Sequence, residues 1–534
     1  MNGSGIPREL LRREAYAEKE SLQIAQLQND SYMKAAQTAR AERSRDRLTP
    51  LYHYTNAAGF MNDPNGFYYW RGRWHLFYQQ LCDRVMVWGH AVSRDLVHWT
   101  ELPYAITPDP DAAEESCWSG SGCCIGNERA IAAYFGYRGH EGLYVRQARD
   151  DLLLNWERCG EGPAVPQDTT APEWQRIPYA AYPEVYDGTV FYLDGTYYML
   201  SAGVERRADG SFVRQLSLYS SADLETWHYE HPFLQNDAFG SVGDDCACPF
   251  IVPFGTAPNG YAVIFFSHRN GPEYLTGTLC RETMTFSVTG SERFDHVAWF
   301  GGYAAPAAAP APEHDGTARV VYIMHGNGLA SCMSLVHRIL PAGGGLIRTE
   351  PPREVEQLRT NARCVAAFSV KQGEEIVVPE ARGTAVEIDL SLRFAVGATP
   401  SLHLFRSENG AEYTALTFYD QRGEQFRDAD DWHRVTVMAC DCSRSSSVPR
   451  WLPTPECVSV PKEPEAPLRL RIFLDRSVLE VFTETGKSLG KRILPAEGAE
   501  TFSVIALSAD VTVEEMTVYD MKPATPASAD LAGI

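Results

Sequence analysis

The sequence predicts an all-β protein in two parts, a β-propeller followed by a β-sandwich, preceded by a helical N-terminal extension. Three observations predict it. From Leu51 onward, short aromatic and β-branched runs (GFYYW, WHLFYQQ, TVFYLDG, TYYMLSAG, YAVIFFSH) alternate with Gly, Asn, Asp and Pro turns. A motif also recurs: Ser93-Arg-Asp-Leu-Val-His-Trp99 returns as Ser221-Ala-Asp-Leu-Glu-Thr-Trp227 and, more loosely, as Arg149-Asp-Asp-Leu-Leu-Leu-Asn-Trp156. Its tryptophans lie 57 and then 71 residues apart, a period that holds several strands per unit and points to radially arranged blades. After about Arg359 the runs AVEIDLSLRF, HRVTVMA, LRLRIFLDRSVLEVF and FSVIAL alternate as an antiparallel sandwich requires.

Taken in order, residues 1–49 are the extension. The stretch from 7 to about 46 is rich in Ala, Leu, Glu, Gln and Arg and reads as helix. Its rough apolar stripe is expected to pack on its own domain or on a neighbouring subunit, which leaves a homo-oligomer through this helix or through the sandwich as one of two alternatives. Residues 50–343 form the propeller and 344–358, with a Pro pair, a linker. The sandwich follows over 359–522, with a Pro-rich loop at 445–467, and 523–534 is a flexible tail.

Composition narrows the function. Of 534 residues, 44% are hydrophobic, enough for sizeable cores, and 48 basic side chains stand against 69 acidic ones, a net charge of −21. Such a surface excludes a general nucleic-acid or anionic-membrane binder. No run approaches 18 apolar residues, so no membrane span is expected. The start, MNGSGIPRELLRREAYAEKE, lacks the basic and apolar regions of a secretory signal. Thirteen cysteines, an odd count with neighbours such as Cys123 and Cys124, suit a reducing, cytoplasmic setting. The C-x-C pairs Cys246/Cys248 and Cys440/Cys442 do not have the usual zinc spacing, so no metal is expected.

The most informative segment is Phe60-Met-Asn-Asp-Pro-Asn-Gly-Phe67, whose turn formers predict a tight loop before a strand. On the first innermost strand of a propeller, Asp63 would stand at the mouth of the central cavity, where carboxylates of other blades converge.

Here the chain resembles a known family. HYTNAAGFMNDPNGFYYWRGRWHLFYQQ is similar to the opening of glycoside hydrolase family 32, the invertase, inulinase and levanase group of β-fructosidases. WGHAVSRDLVHW, CWSGSG (117–122) and LRIFLDRSVLEVF (470–482) extend the resemblance over about 50–520. It implies a five-bladed propeller before the sandwich, with Asp63 as nucleophile. The family's second acid, in Arg-Asp-Pro, is matched by Asp187, although Tyr186 replaces the Arg and Gly188 the Pro; Glu184 is its rival. The third, a Glu before Cys-Pro that donates the proton, meets Ala247 ahead of Cys248-Pro249. The acid must then come from Asp245 or Asp244, and Asp245 is chosen. Asn62, Gln79, Trp88, Trp118 and Ser119 are expected by the same resemblance to line the sugar pocket, and His90 and His268 to be supporting histidines.

Three carboxylates suit the chemistry. Cleaving a ketosidic bond develops oxocarbenium character, so one carboxylate attacks while another group protonates the leaving oxygen. Crowding of anions keeps the least solvated of them protonated. The expected function is a retaining hydrolase releasing terminal β-D-fructofuranosyl residues from sucrose or short fructans, with no cofactor. A fructosyltransferase or a non-catalytic sugar-binding propeller are the alternatives.

Overall fold

The computed structural model describes residues 15–108, 114–167, 185–294, 301–326, 328–421, 435–446, 455–463 and 466–524. Among these residues, the strands between Phe60 and Glu350 form a four-stranded sheet, a nine-stranded sheet and two five-stranded sheets. The nine-stranded sheet is two antiparallel units joined through one parallel pairing, Gly120 with Gly188. Gly120 is also held tightly on its other side, where a Cβ would run into the carbonyl of Ala133 on the antiparallel neighbour Arg129–Gly139. Inner strands Phe60–Trp70, Glu114–Ile125, Tyr186–Leu193, Ala247–Pro253 and Tyr303–Pro310 pack one against the next, and the last returns to the first. The result is a closed ring about an axis, in which the inner edge strands are covered by one another.

The recurring S-x-D-L-x-x-W motif folds the same way each time. Asp95 Oδ1 accepts from the backbone N–H of Val97 and His98, and Asp223 Oδ1 from those of Glu225 and Thr226. Leu96 and Leu224 take left-handed backbone angles, and the indoles of Trp99 and Trp227 donate back to their carbonyls. In the looser copy Asp150 is the capping residue, Leu153 is the left-handed one, and Trp156 closes on it. The motif is an aspartate-capped turn sealed by an aromatic plug, and its cost in strained leucines is offset by burying them.

Among the described residues, the extension holds two helices, α1 (Glu20–Leu27) and α2 (Ser31–Arg43). Asp30 breaks the expected continuous helix by capping α2, its side chain accepting from Met33 N–H. Both helices spend their polar contacts on their own chain. Gln23 donates to Asp150, while Tyr32 and Arg40 converge on the buried Glu101 at 2.9 and 2.6 Å.

Two further differences from the sequence expectation concern boundaries. Ile347–Glu350 pairs with His337–Pro341, so the ring extends into the stretch expected as linker; only Arg353–Leu358, a 3₁₀ turn, connects onward. Glu456–Val460 is a strand inside the expected Pro-rich loop, pairing with Val435–Asp441. Only Val458-Ser459-Val460 carries the strand's alternation in its chemistry, since Glu456 is buried and Cys457 exposed, and prolines flank the segment. The remaining strands form sheets of seven and six, whose inner faces bury residues such as Leu390, Val518, Leu416, Phe418 and Val504 in one core.

A buried polar cluster joins the two parts. Asp475 accepts from the N–H groups of Leu51, Tyr52 and His53 and, at 2.8 Å, from His53 Nδ1. Glu480 contacts His53 Nε2, His337 Nε2, the Tyr303 hydroxyl and Leu335 N–H, all at 2.7–2.9 Å. Burial opposes charge on both partners, yet hydrogen bonds to Asp475 and Glu480 raise His53 to about 9. Against the same burial, His337 and His53 bring Glu480 down to about 2.

The raised His53 contributes stability that is complete below its ordinary 6.5 and is lost as pH rises through about 9. Urea unfolding of the full chain is therefore expected to give a lower free energy at pH 9.5 than at pH 6. Glu480→Ala should lose about 3–5 kcal/mol at pH 6, since it strands two buried imidazoles. Equal stability of wild type and variant at that pH would refute the account.

Candidate active site

Each inner strand is irregular at the same level of the ring. Register shifts fall at Met61/Pro64, Cys117/Gly120, Tyr186/Thr189, Ala247/Phe250 and Ala304/Pro306. A bulge places two residues against one and re-aims a side chain. Here the bulges present Asp63, Ser119, Asp187 and Cys248 near the axis. The NDPNG segment is therefore a bulged part of a strand, not the tight loop expected before one. Its turn formers supply the irregular backbone that a regular strand would deny. Asp187 and Cys248 both have left-handed angles, φ 48° and 46°, which aspartate tolerates better than most residues.

Asp63 and Asp187 converge. The Cys248 thiol lies 3.9 Å from Asp63 Oδ2 and 3.3 Å from Asp187 Oδ2, and Cys248 N–H donates to the same Asp187 oxygen at 3.0 Å. A relay of donors leads to Asp63: Asn62 Nδ2 donates to Gln79 Oε1 (2.7 Å), Gln79 Nε2 to Ser119 Oγ (2.6 Å), and Ser119 Oγ to Asp63 Oδ2 (2.7 Å). Every hydrogen in it points toward the carboxylate, the polarity that favours an anion there. Buried Asn65 turns its amide oxygen to Gln79 N–H and the Trp88 indole, an orientation assigned from these donors.

Electrostatics separates the two acids. Burial raises Asp63 above its ordinary value, while the Ser119 hydrogen bond and the charge of His268 hold the rise back. Asp187 is pushed up to about 6, first by burial and then by the charge of Asp63, against the bonds from Cys248. Burial and both carboxylates drive the Cys248 thiol well above its usual range, so it stays a donor.

Asp245 and Asp244, adjacent in the chain, part company. Asp244 turns to Arg214 (3.2 Å), Ser267 (2.5 Å) and Asn270 (3.2 Å), an ionic network that also holds Glu273 and Asp237. Asp245 turns toward the axis side: Oδ1 accepts from His268 N–H at 2.8 Å, and Oδ2 lies 2.5 Å from His268 Nδ1 and 3.4 Å from the Tyr186 hydroxyl. Its side chain is wholly buried. Among the expected binding residues, Asn62, Gln79 and Ser119 join the relay, and Trp118 is half-buried, stacked on Tyr137. Trp88 is fully buried between Phe77 and Tyr134 and donates to the Trp118 carbonyl, which makes it a support under the pocket wall. His90 is buried against His75 at 3.0 Å. Glu184 lies outside the described residues. Sequence reasoning missed Cys248 as the shared partner of two carboxylates; its place in C-x-C-P carried no such signal.

The fold and this geometry define a class that comparison identifies. The model for the glycosyl hydrolases family 32 N-terminal domain matches residues 53–312, and that for the family 32 C-terminal domain matches 354–520. The chain belongs to glycosyl hydrolase family 32, and its two parts are a β-propeller and a β-sandwich. A raffinose invertase of Escherichia coli is 25% identical over 500 residues, spanning 88% of this chain and 94% of its own. A levanase of Bacillus subtilis (strain 168) is 25% identical over 535 residues, 91% of this chain and 72% of the levanase. In fold the chain is similar to fructan 1-exohydrolase IIa from Cichorium intybus, with a TM-score of 0.75 at 21% identity over 90% of this chain and 98% of that one.

Because Asp187 is held near 6 rather than 3.8, its ionised form costs folding free energy that accrues as pH rises between those values. Asp187→Asn, which can still accept from Cys248 N–H, is expected to stabilise the protein at pH 7 by about 1–3 kcal/mol. It should give no gain at pH 3.5. Urea unfolding at the two pH values checks this; a stabilisation independent of pH would contradict it.

Proposed function

We propose that this chain is a retaining β-fructofuranosidase releasing terminal fructosyl units from sucrose or short fructans through a fructosyl-enzyme. The observation that carries the reading is the convergence of Asp63 and Asp187 on Cys248, with protein donors directed at Asp63. Asp63, the acid served by the donor relay, is the nucleophile. Asp187, which retains a proton to higher pH, lies beside it to hold the sugar hydroxyls. The acid function centres on Asp245, with Asn62, Gln79, Trp118 and Ser119 around the ring and Trp88 beneath them. The names of the relatives, an invertase and a levanase, support a fructosyl substrate.

The five inner strands support five blades, the nine-stranded sheet dividing at the Gly120–Gly188 contact. Thirteen cysteines, an odd count with close neighbours such as Cys440 and Cys442, whose thiols make a hydrogen bond at 3.9 Å, support a reducing compartment. The formal charge of −21 supports a neutral sugar over a polyanion as partner.

Purified protein incubated with sucrose, 1-kestose, inulin and levan, with products separated by chromatography, tests the function. Free fructose as the main product is expected, and Asp63→Asn should lower its release more than about 10⁴-fold while the fold persists. Longer fructans in place of fructose would make the chain a transferase. Sugar binding without any turnover would make it a binding protein.

A further inference from the structure

We propose that the proton passed to the leaving group comes from His268, and that Asp245 acts behind it as a positioning residue. This deepens the fructosidase reading and rests on it. A retaining mechanism needs a proton donor that can reach the leaving oxygen. Asp245 is poorly placed to be that group. Its side chain has no exposed surface, and both of its oxygens are taken by protein partners, His268 on each and the Tyr186 hydroxyl on one. His268 is bonded to Asp245 and interacts by charge with the acids of the ring. It opens the turn after strand Gly260–Ser267, is slightly exposed where Asp245 is not, and lies close enough for its charge to act on both Asp63 and Asp187.

The geometry fixes the roles within the pair. His268 Nδ1 is committed to Asp245 at 2.5 Å and the backbone N–H of His268 to the other oxygen at 2.8 Å, so the ring is oriented by two bonds to one carboxylate. A proton exchanged with substrate then moves through Nε2. In the first half-reaction Asp63 attacks the anomeric carbon, the bond to the leaving oxygen breaks with its electron pair, and that oxygen takes the Nε2 proton. The imidazole is left neutral, its Nδ1–H still donating to Asp245. In the second half, Nε2 takes a proton from the water that attacks the same carbon, and the electron pair of the ester bond returns to Asp63. Asp187, the other protonated candidate, already accepts both donors of Cys248 on one oxygen.

Asp245, Asp187 and Asp63 act on His268 through their charge, and the Tyr186 hydroxyl shares Asp245 Oδ2 with its ring; Arg269, next in the chain, spends its guanidinium on the Val242 carbonyl. Burial works against the imidazolium, but the bond and charge of Asp245, with the charges of Asp187 and Asp63, raise it above the usual histidine value. The protonated form is the donor, so kcat/KM should fall as pH rises through this raised value.

The experiment compares sucrose with β-fructofuranosyl fluoride, whose leaving group needs no proton, in the full-length protein. His268→Gln should lower kcat/KM on sucrose by about 10²–10⁴-fold and on the fluoride less than tenfold. Added azide, which attacks without a general base, should restore its turnover and yield fructosyl azide. Asp245→Asn should keep the donor, move the alkaline limb of kcat/KM to lower pH, and gain nothing from azide. Turnover of the fluoride shows that a variant is folded, and His268→Asn serves if the Gln variant fails. The proposal is overturned if His268 variants slow both substrates alike, or if azide rescue and the leaving-group split belong to Asp245→Asn or Asp187→Asn. Failure of the wild type to act on any fructoside would sink the fructosidase reading itself, a distinct result.

Discussion

Gathering anions in one buried place is the constraint on which this molecule's design turns. Two unit charges about 5 Å apart repel by roughly 3 kcal/mol even at an effective dielectric near 20. The ring meets this by supplying neutralising partners in a fixed arrangement. Ser119, fed by Gln79 and Asn62, donates to Asp63; Cys248 donates to Asp187 through nitrogen and sulfur; His268 brings a positive charge beside all three carboxylates. Burial first, and then the remaining repulsion from Asp63, displace Asp187 upward to about 6. That residual cost marks a site kept for chemistry rather than for stability.

The arrangement is only as firm as the frame around it. The first inner strand begins seven residues after His53, and His53 is held at both ring nitrogens by sandwich carboxylates. The segment Asp475-Arg-Ser-Val-Leu-Glu480 therefore works as a clasp. One of its acids fixes the chain entering the ring, and the other ties His337 and Tyr303 of the last sheet. An apolar cluster of Tyr52, Leu335, Phe473, Phe482 and Met521 surrounds it and keeps water from the ion pairs. Of the two helices of the extension, α2 braces the first sheet through Glu101 and α1 holds the turn at Asp150 through Gln23.

Much of this was legible because some residues carry their reason locally. An aspartate four residues before a tryptophan, with a leucine between, can cap and seal a turn by itself, so the repeat showed in the chain. NDPNG signalled irregular backbone through its composition, though not that the irregularity sits inside a strand. The two boundary surprises are of another kind. In ECVSV only Val458-Ser459-Val460 alternates apolar with polar, and so short a pattern between prolines does not outweigh them until Val435–Asp441 offers a partner.

The linear chain determined the strand-rich architecture and the division near residue 350, since periodicity and turn chemistry act over a few neighbours, while Asp63, Asp187 and the 244–245 pair came into question through their resemblance to the family's motifs. Only the folded ring decided which of two adjacent aspartates faces the axis, that Trp88 lies under the wall, and that Cys248 and His268 stand among the carboxylates. Those outcomes depend on bulge geometry and on charges brought together from strands about sixty residues apart in the chain, and no local rule encodes a distance across an axis.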